Sequence, residues 1–249
     1  MLKKCIGIVS YFPSETARFN ARAQRIARFN NLLGQINSLW PNIDILIVAQ
    51  NWQDYQLPEL TNKFTIYSYE QPLTIIGARN TLREKILNET DYEYIIMIDD
   101  DAVINSCGQE IADAYMKAID ENPDKFCFIH DKNHWHTCDD YIKAPLNLCA
   151  ISRFIYEKEE FPQVCLEKNE ALEDDLYAVL LHIKYAEYEF IPPTGIKCIH
   201  AVDGSQYLLQ LMGRGFPSTW YNNKTNFIGI INNTNKYIDE IIRNKDFKK

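Results

Sequence analysis

Ile95-Ile96-Met97-Ile98-Asp99-Asp100-Asp101-Ala102-Val103-Ile104 reads as a buried strand that runs straight into three carboxylates. An unbroken run of large apolar residues suits a strand covered on both faces, the kind found in parallel sheets. Ligands in such sheets lie beyond the carboxyl ends of the strands, so the acids stand where a site would be built. Adjacent carboxylates repel and raise one another's pKa unless a cation neutralises them. A divalent ion is the simplest remedy, and oxygen ligands favour Mg2+ or Mn2+, which usually complete their shells with water and substrate phosphates. A solvated acidic turn is the bland alternative.

Working outward, short apolar runs alternate with longer helical patterns, as in βαβ units. Strands are expected at Cys5–Phe12, Asp44–Trp52, Lys63–Tyr69, Tyr92–Ile98 and Lys125–His130. Ile26, Phe29, Leu33, Ile36 and Leu39 recur on one face of a helix over Arg22–Trp40, which Pro41 stops. Further helices are expected from Ile76 to Leu87 and from Gly108 to Asn122. The second half is less regular: strand-like Leu148–Tyr156, a helix over Asn169–Ile183, and strand-like Tyr188–Ile191 and Ile196–Ile199. No internal repeat or Pro/Gly/Ser linker divides the chain.

A chain of 249 residues suits one large domain and can hold a core without disulfides or a structural metal. Hydrophobic residues at 46% and charged residues at 24% exclude a disordered or fibrous chain. With a net charge of −8 and no basic cluster, nucleic acid is not an expected partner. The seven cysteines lack CxxC pairs and read as mostly buried, reduced thiols. The N-terminal run reads as a strand and not a signal peptide, and no stretch approaches the ~20 apolar residues that span a bilayer. A cytoplasmic location is expected, with membrane-surface attachment left open.

The chain resembles glycosyltransferases of the GT-A fold, whose DxD motif stands at this strand end: Asp99 and Asp101 match its two acids. Gly77-Ala78-Arg79-Asn80 is similar to the G-x-x-R-N segment of family 2 transferases, Glu173-Asp174-Asp175 to the "ED" acids of inverting enzymes, and His200 to the metal-ligand histidine of the β-1,4-galactosyltransferase group. These four motifs follow the family's order over Gly77 to His200. The resemblance implies a Rossmann-like, mostly parallel twisted α/β sheet flanked by helices in a single domain. It further implies a nucleotide-sugar half over 1–105, an acceptor and catalytic half over 106–221 and an appendage over 222–249.

It also implies transfer of a sugar from a nucleotide-diphosphate donor, uridine being the commonest base among such relatives, to a hydroxyl of a glycan or other acceptor. Asp99, Asp101 and His200 would hold Mn2+ or Mg2+, which stabilises the leaving diphosphate. Ser10, Tyr11, Gln50, Arg79, Asn80, Asp99 and Asp100 are the candidate donor contacts. Asp174, with Glu173 beside it, is the candidate general base, giving inversion. His134, Trp135 and Asp175 are candidate acceptor contacts, aromatic and imidazole faces suiting sugars. Arg214 is a further candidate diphosphate contact, and Gly204, Gly213 and Gly215 are candidate hinges of a closing loop.

The sequence departs from family 2 at the second strand's end, where Ala49-Gln50-Asn51-Trp52 replaces an acidic pair that reads the base. Trp52 is a candidate stacking partner for that base. Three rival readings remain: a haloacid dehalogenase-type phosphatase with Asp99 as nucleophile, a non-catalytic sugar-nucleotide-binding module, and a zinc site from His130, His134, His136 and Cys138.

Overall fold

The computed structural model describes residues 1–13, 21–71, 73–105, 108–129, 148–161, 177–178, 180–181 and 184–200, with Asn105, Lys197, Ile199 and His200 described by backbone alone. The named strands and α-helices among these residues follow in order: β1 (Lys4–Tyr11), α1 (Ala21–Leu39), β2 (Asp44–Gln50), β3 (Phe64–Tyr69), α2 (Ile75–Glu89), β4 (Tyr94–Ile98), β5 (Ala102–Asn105), α3 (Gln109–Glu121), β6 (Phe126–Phe128), β7 (Leu148–Ser152), α4 (Arg153–Lys158) and β8 (Lys197–His200). Six strands form one sheet in the order β3-β2-β1-β4-β7-β6, and β5 pairs with β8 in a separate ribbon. The pairs β3–β2, β2–β1 and β1–β4 are parallel, whereas β7 runs antiparallel to both β4 and β6.

Both faces are covered, which is why the central strands lack polar alternation. One face packs Ile6, Ile47 and Ile96 against Phe29, Leu33 and Ile36 of α1 and Tyr115 of α3. The other packs Cys5, Val48 and Ile95 against Leu82 and Ile86 of α2, Ile155 of α4, and Tyr177 and Leu181. Gly7 lets α2 approach closely, since a Cβ there would lie 3.1 Å from Leu82 Cδ2 and 3.3 Å from Ile95 Cγ2.

The helices end where side chains take over the orphan backbone groups. The Thr74 hydroxyl accepts from Gly77 N–H at 3.0 Å at the start of α2. Arg153 donates to Leu87 O at 2.6 Å and Thr90 O at 3.0 Å at its end. Arg83 of α2 in turn donates to Tyr156 O at 2.6 Å and Glu157 O at 3.1 Å, capping α4. Two helices thus terminate each other.

The expected strand Tyr92–Ile98 ends at Ile98 as β4, and after the acidic turn Ala102–Asn105 forms β5 in a separate ribbon. Two expectations are corrected. The expected strand Leu148–Tyr156 stops at Ser152, which pairs with Tyr94, the first residue of β4; with no ladder left, the Ser152 hydroxyl caps α4 instead. Tyr188–Ile191 is not a strand: Ala186–Tyr188 is a 3-10 turn, only Glu189 bridges to Phe126, and Ile191 is 90% exposed ahead of two prolines. The described part of the expected 169–183 helix, Tyr177, Ala178, Leu180 and Leu181, is helical. No helix among the described residues is long and apolar enough to cross a membrane.

Candidate functional site

The sheet order runs from β1 through β2 to β3 on one side, while β4 lies on the other. Connections leave the carboxyl ends of β1 and β4 in opposite senses, and the crevice between them is where open α/β sheets bind ligands. Ser10 and Tyr11 close β1, and Asp99 follows β4.

Alternation along β4 decides where each acid goes. Ile96 and Ile98 belong to the α1 side, Ile95 and Met97 to the α2 side. Asp99 continues the pattern toward α2, where Arg79 Nη2 donates to its Oδ1 at 3.0 Å. The chain then turns, Ala102 N–H donating to Asp99 O at 3.0 Å. Asp100 and Asp101 both meet Arg25 of α1: Nη1 donates to Asp101 Oδ2 at 2.6 Å and Nη2 to Asp100 Oδ1. Asp100 also accepts from Tyr11 N–H at 3.2 Å and from the Ser10 hydroxyl.

Burial sets the electrostatics. It pushes the Asp100 carboxyl up to about 6, opposed by Arg25 and assisted by the neighbouring Asp101 charge. Burial alone would lower the Arg25 guanidinium, but the two carboxylates outweigh it and raise it. Asp100 and Asp101 are buried, whereas the Asp99 side chain keeps 19% of its surface exposed.

The other expected donor contacts surround this turn, several of them engaged by protein. Ser10 is buried and accepts from Trp52 Nε1 at 3.1 Å; Gln50 Oε1 accepts from Leu73 N–H at 2.7 Å. Asn80 clamps Phe161, donating to its carbonyl at 3.0 Å and accepting from its N–H at 2.9 Å. Arg79 lies 5.6 Å from the Phe161 ring centre, and Phe161 stacks on Tyr177 at 4.1 Å. Trp52, the candidate base platform, stacks on Phe12 at 5.2 Å within a cluster that includes Phe29 and Tyr55. Of the expected set, Tyr11 and Asp99 combine a place at the crevice with partial exposure.

His200 enters by backbone register: it pairs with Ala102, the residue after Asp101. Charge and donor type fit a divalent ion here, because three carboxylates against two guanidiniums leave one negative charge. Among the described residues no three His, Cys, Asp or Glu side chains converge as metal ligands. Glu173, Asp174, Asp175, His130, His134, Trp135, His136, Cys138, Gly204, Gly213, Arg214 and Gly215 lie outside the described residues.

Two participants escaped the sequence reading. Arg25 stands on the buried stripe Ala21, Arg25, Phe29, Leu32 and Ile36. A charged residue four before Phe29, at helical spacing with the apolar stripe, is the signal the sequence carries. Phe161 carries no motif, and only its contacts reveal it.

No family model and no curated protein matches the sequence. Among solved structures, the chain is similar to a protein assigned as a glucose-1-phosphate thymidylyltransferase from Bacillus anthracis, solved in complex with a sucrose. That match has TM-score 0.50 and 10% identity, covering 84% of this chain and 94% of that one. The fold is Rossmann-like. S. aureus TarS 1-349 in complex with UDP-GlcNAc also matches, with TM-score 0.45 and 13% identity over 72% of this chain and 54% of that one. This chain therefore spans about half the length of that TarS structure. A197 from STIV matches with TM-score 0.41 and 13% identity over 81% and 87% of the two chains.

Proposed function

We propose that this chain moves a sugar from a nucleoside-diphosphate donor, a uridine diphosphate sugar in the first instance, to an acceptor hydroxyl with inversion at the anomeric carbon. The observation that carries this reading is the acidic turn at the crevice between β1 and β4, with Arg79 on one side and the strand of His200 on the other. The similarity in sheet architecture to the thymidylyltransferase supports the Rossmann-like frame alone.

A Mn2+ or Mg2+ ion held by Asp99, Asp101 and His200 would, when bound, neutralise the charge that gathers on the departing diphosphate. Arg79 holds Asp99 in place through a charge-assisted bond, and Tyr11 borders the donor. Asp174 takes the proton from the acceptor hydroxyl as that oxygen attacks C1, with Glu173 and Asp175 beside it and His134 and Trp135 as the acceptor wall. Tyr177, shortly after Asp174 in the sequence, stacks on Phe161 beside Arg79, and this contact favours a base near the donor.

Asp174→Asn is expected to bind a nucleotide sugar as wild type does, measured by calorimetry, and to lose transfer by at least 100-fold, about the low end of what a general base contributes. Unchanged transfer would remove Asp174 from the mechanism. The phosphatase reading places its motif on the first strand, whereas three parallel strands precede β4 here. Metal-dependent hydrolysis of a phosphomonoester without any sugar transfer would revive it.

A further inference from the structure

Arg25 occupies a place that packing alone would give to an apolar residue. It lies between Ala21 and Phe29 on the buried stripe of α1 and is 8% exposed. Taking a guanidinium out of water costs several kcal/mol unless it is closely paired. Its Nη1 and Nη2 go to Asp101 and Asp100 respectively, and its buried Nε has no hydrogen-bond partner among the described residues. The whole side chain is therefore aimed at one target, the acidic turn. Asp100 in turn draws in Tyr11 N–H and the Ser10 hydroxyl, so the ends of β1 and β4 and the first turns of α1 meet at this cation.

We infer that Arg25 is a positioning residue, the built-in cation of the acidic turn. It anchors Asp100 as an internal anion, fixes Asp101 by one oxygen, and reduces the charge that an arriving ion must compensate. Arg79 does the same for Asp99 from the opposite face of the sheet. A fork that spans two carboxylates sets their separation, which a lysine ammonium, a point donor, cannot do. The assignment of Arg25 as counter-ion stands on its contacts alone; its effect on a metal rests on the function proposed above.

Thermal unfolding of purified protein without added metal tests the first part. Arg25→Met completes the apolar stripe yet leaves two carboxylates without their cation, and its Tm should fall by on the order of 10 °C. Adding Asp100→Asn to it should restore at least half of that loss, because the stranded charge is then halved. If Arg25→Met does not fold alone, the double variant is still expected to fold. A loss that Asp100→Asn does not relieve, or a single variant as stable as wild type, overturns the assignment.

Arg25→Lys tests the second part by Mn2+ titration calorimetry without donor. The charge is retained, so Tm should stay near that of wild type, while Mn2+ affinity drops roughly 10–100-fold, as for other groups that orient metal ligands. Equal Mn2+ affinity in the two proteins overturns the positioning role. No Mn2+ binding to wild type, with the Asp100→Asn rescue intact, overturns the metal assignment and upholds Arg25 as counter-ion.

Discussion

At the scale of single residues, the recurring device is a polar side chain spent on a neighbouring backbone. Asn80 makes two such bonds to Phe161, one with each end of its amide. A typical buried hydrogen bond contributes about 1 kcal/mol, so Asn80→Ala should lower stability by roughly 1–3 kcal/mol in urea unfolding. Asp120 supplies a pH-dependent case, with Oδ1 accepting from Leu2 N–H at 2.8 Å and Lys4 Nζ at 2.6 Å. Partial burial would raise its carboxyl, but Lys4 and the Leu2 amide outweigh this and hold it below the ordinary value of 3.8. The folded state thus favours the ionised form, and the resulting stabilisation is complete above the ordinary value and fades as pH falls through the folded one. Asp120→Asn should cost about 1 kcal/mol at neutral pH, and the gap from wild type should close in acid, as followed by urea unfolding at several pH values.

At the scale of elements, the close approach of α2 to β1 depends on Gly7. Gly7→Ala pushes a methyl group to within 3.1 Å of Leu82 and 3.3 Å of Ile95, and should destabilise by about 1–3 kcal/mol in the same assay. The central strands and α1, α2 and α3 were legible from periodicity because each buries an apolar face or run of ordinary length. The Leu148–Tyr156 misreading arises because apolarity marks burial without marking chain direction. The Leu148–Tyr156 run is buried throughout most of its length, yet sheet pairing ends at Ser152 and a helix takes over. The break between Ile98 and Ala102 was legible only as acids, not as a change of sheet.

For the whole molecule, the alternation of strands and helices was readable because it follows from chain-wide patterning, and the acidic turn because its place follows from strand polarity. The partners of that turn were not, since Arg25 and Phe161 are brought in by tertiary packing over long sequence separations. The expectation of buried, reduced thiols holds for Cys5, Cys127, Cys149 and Cys198, all buried and outside any disulfide. Burial pushes the Cys127 thiol up to about 12 and raises the other sheet thiols, Cys5 and Cys149. A short exposure of native protein to an alkylating reagent should leave these four unmodified by peptide mapping, whereas denatured protein should react at all seven.

Ring contact between Phe161 and Tyr177 ties together two points of the chain separated by the stretch 162–176. Doubling the length of such a stretch adds only about 0.6 kcal/mol of closure entropy, so an insertion between the two rings should leave Tyr177 stacked on Phe161.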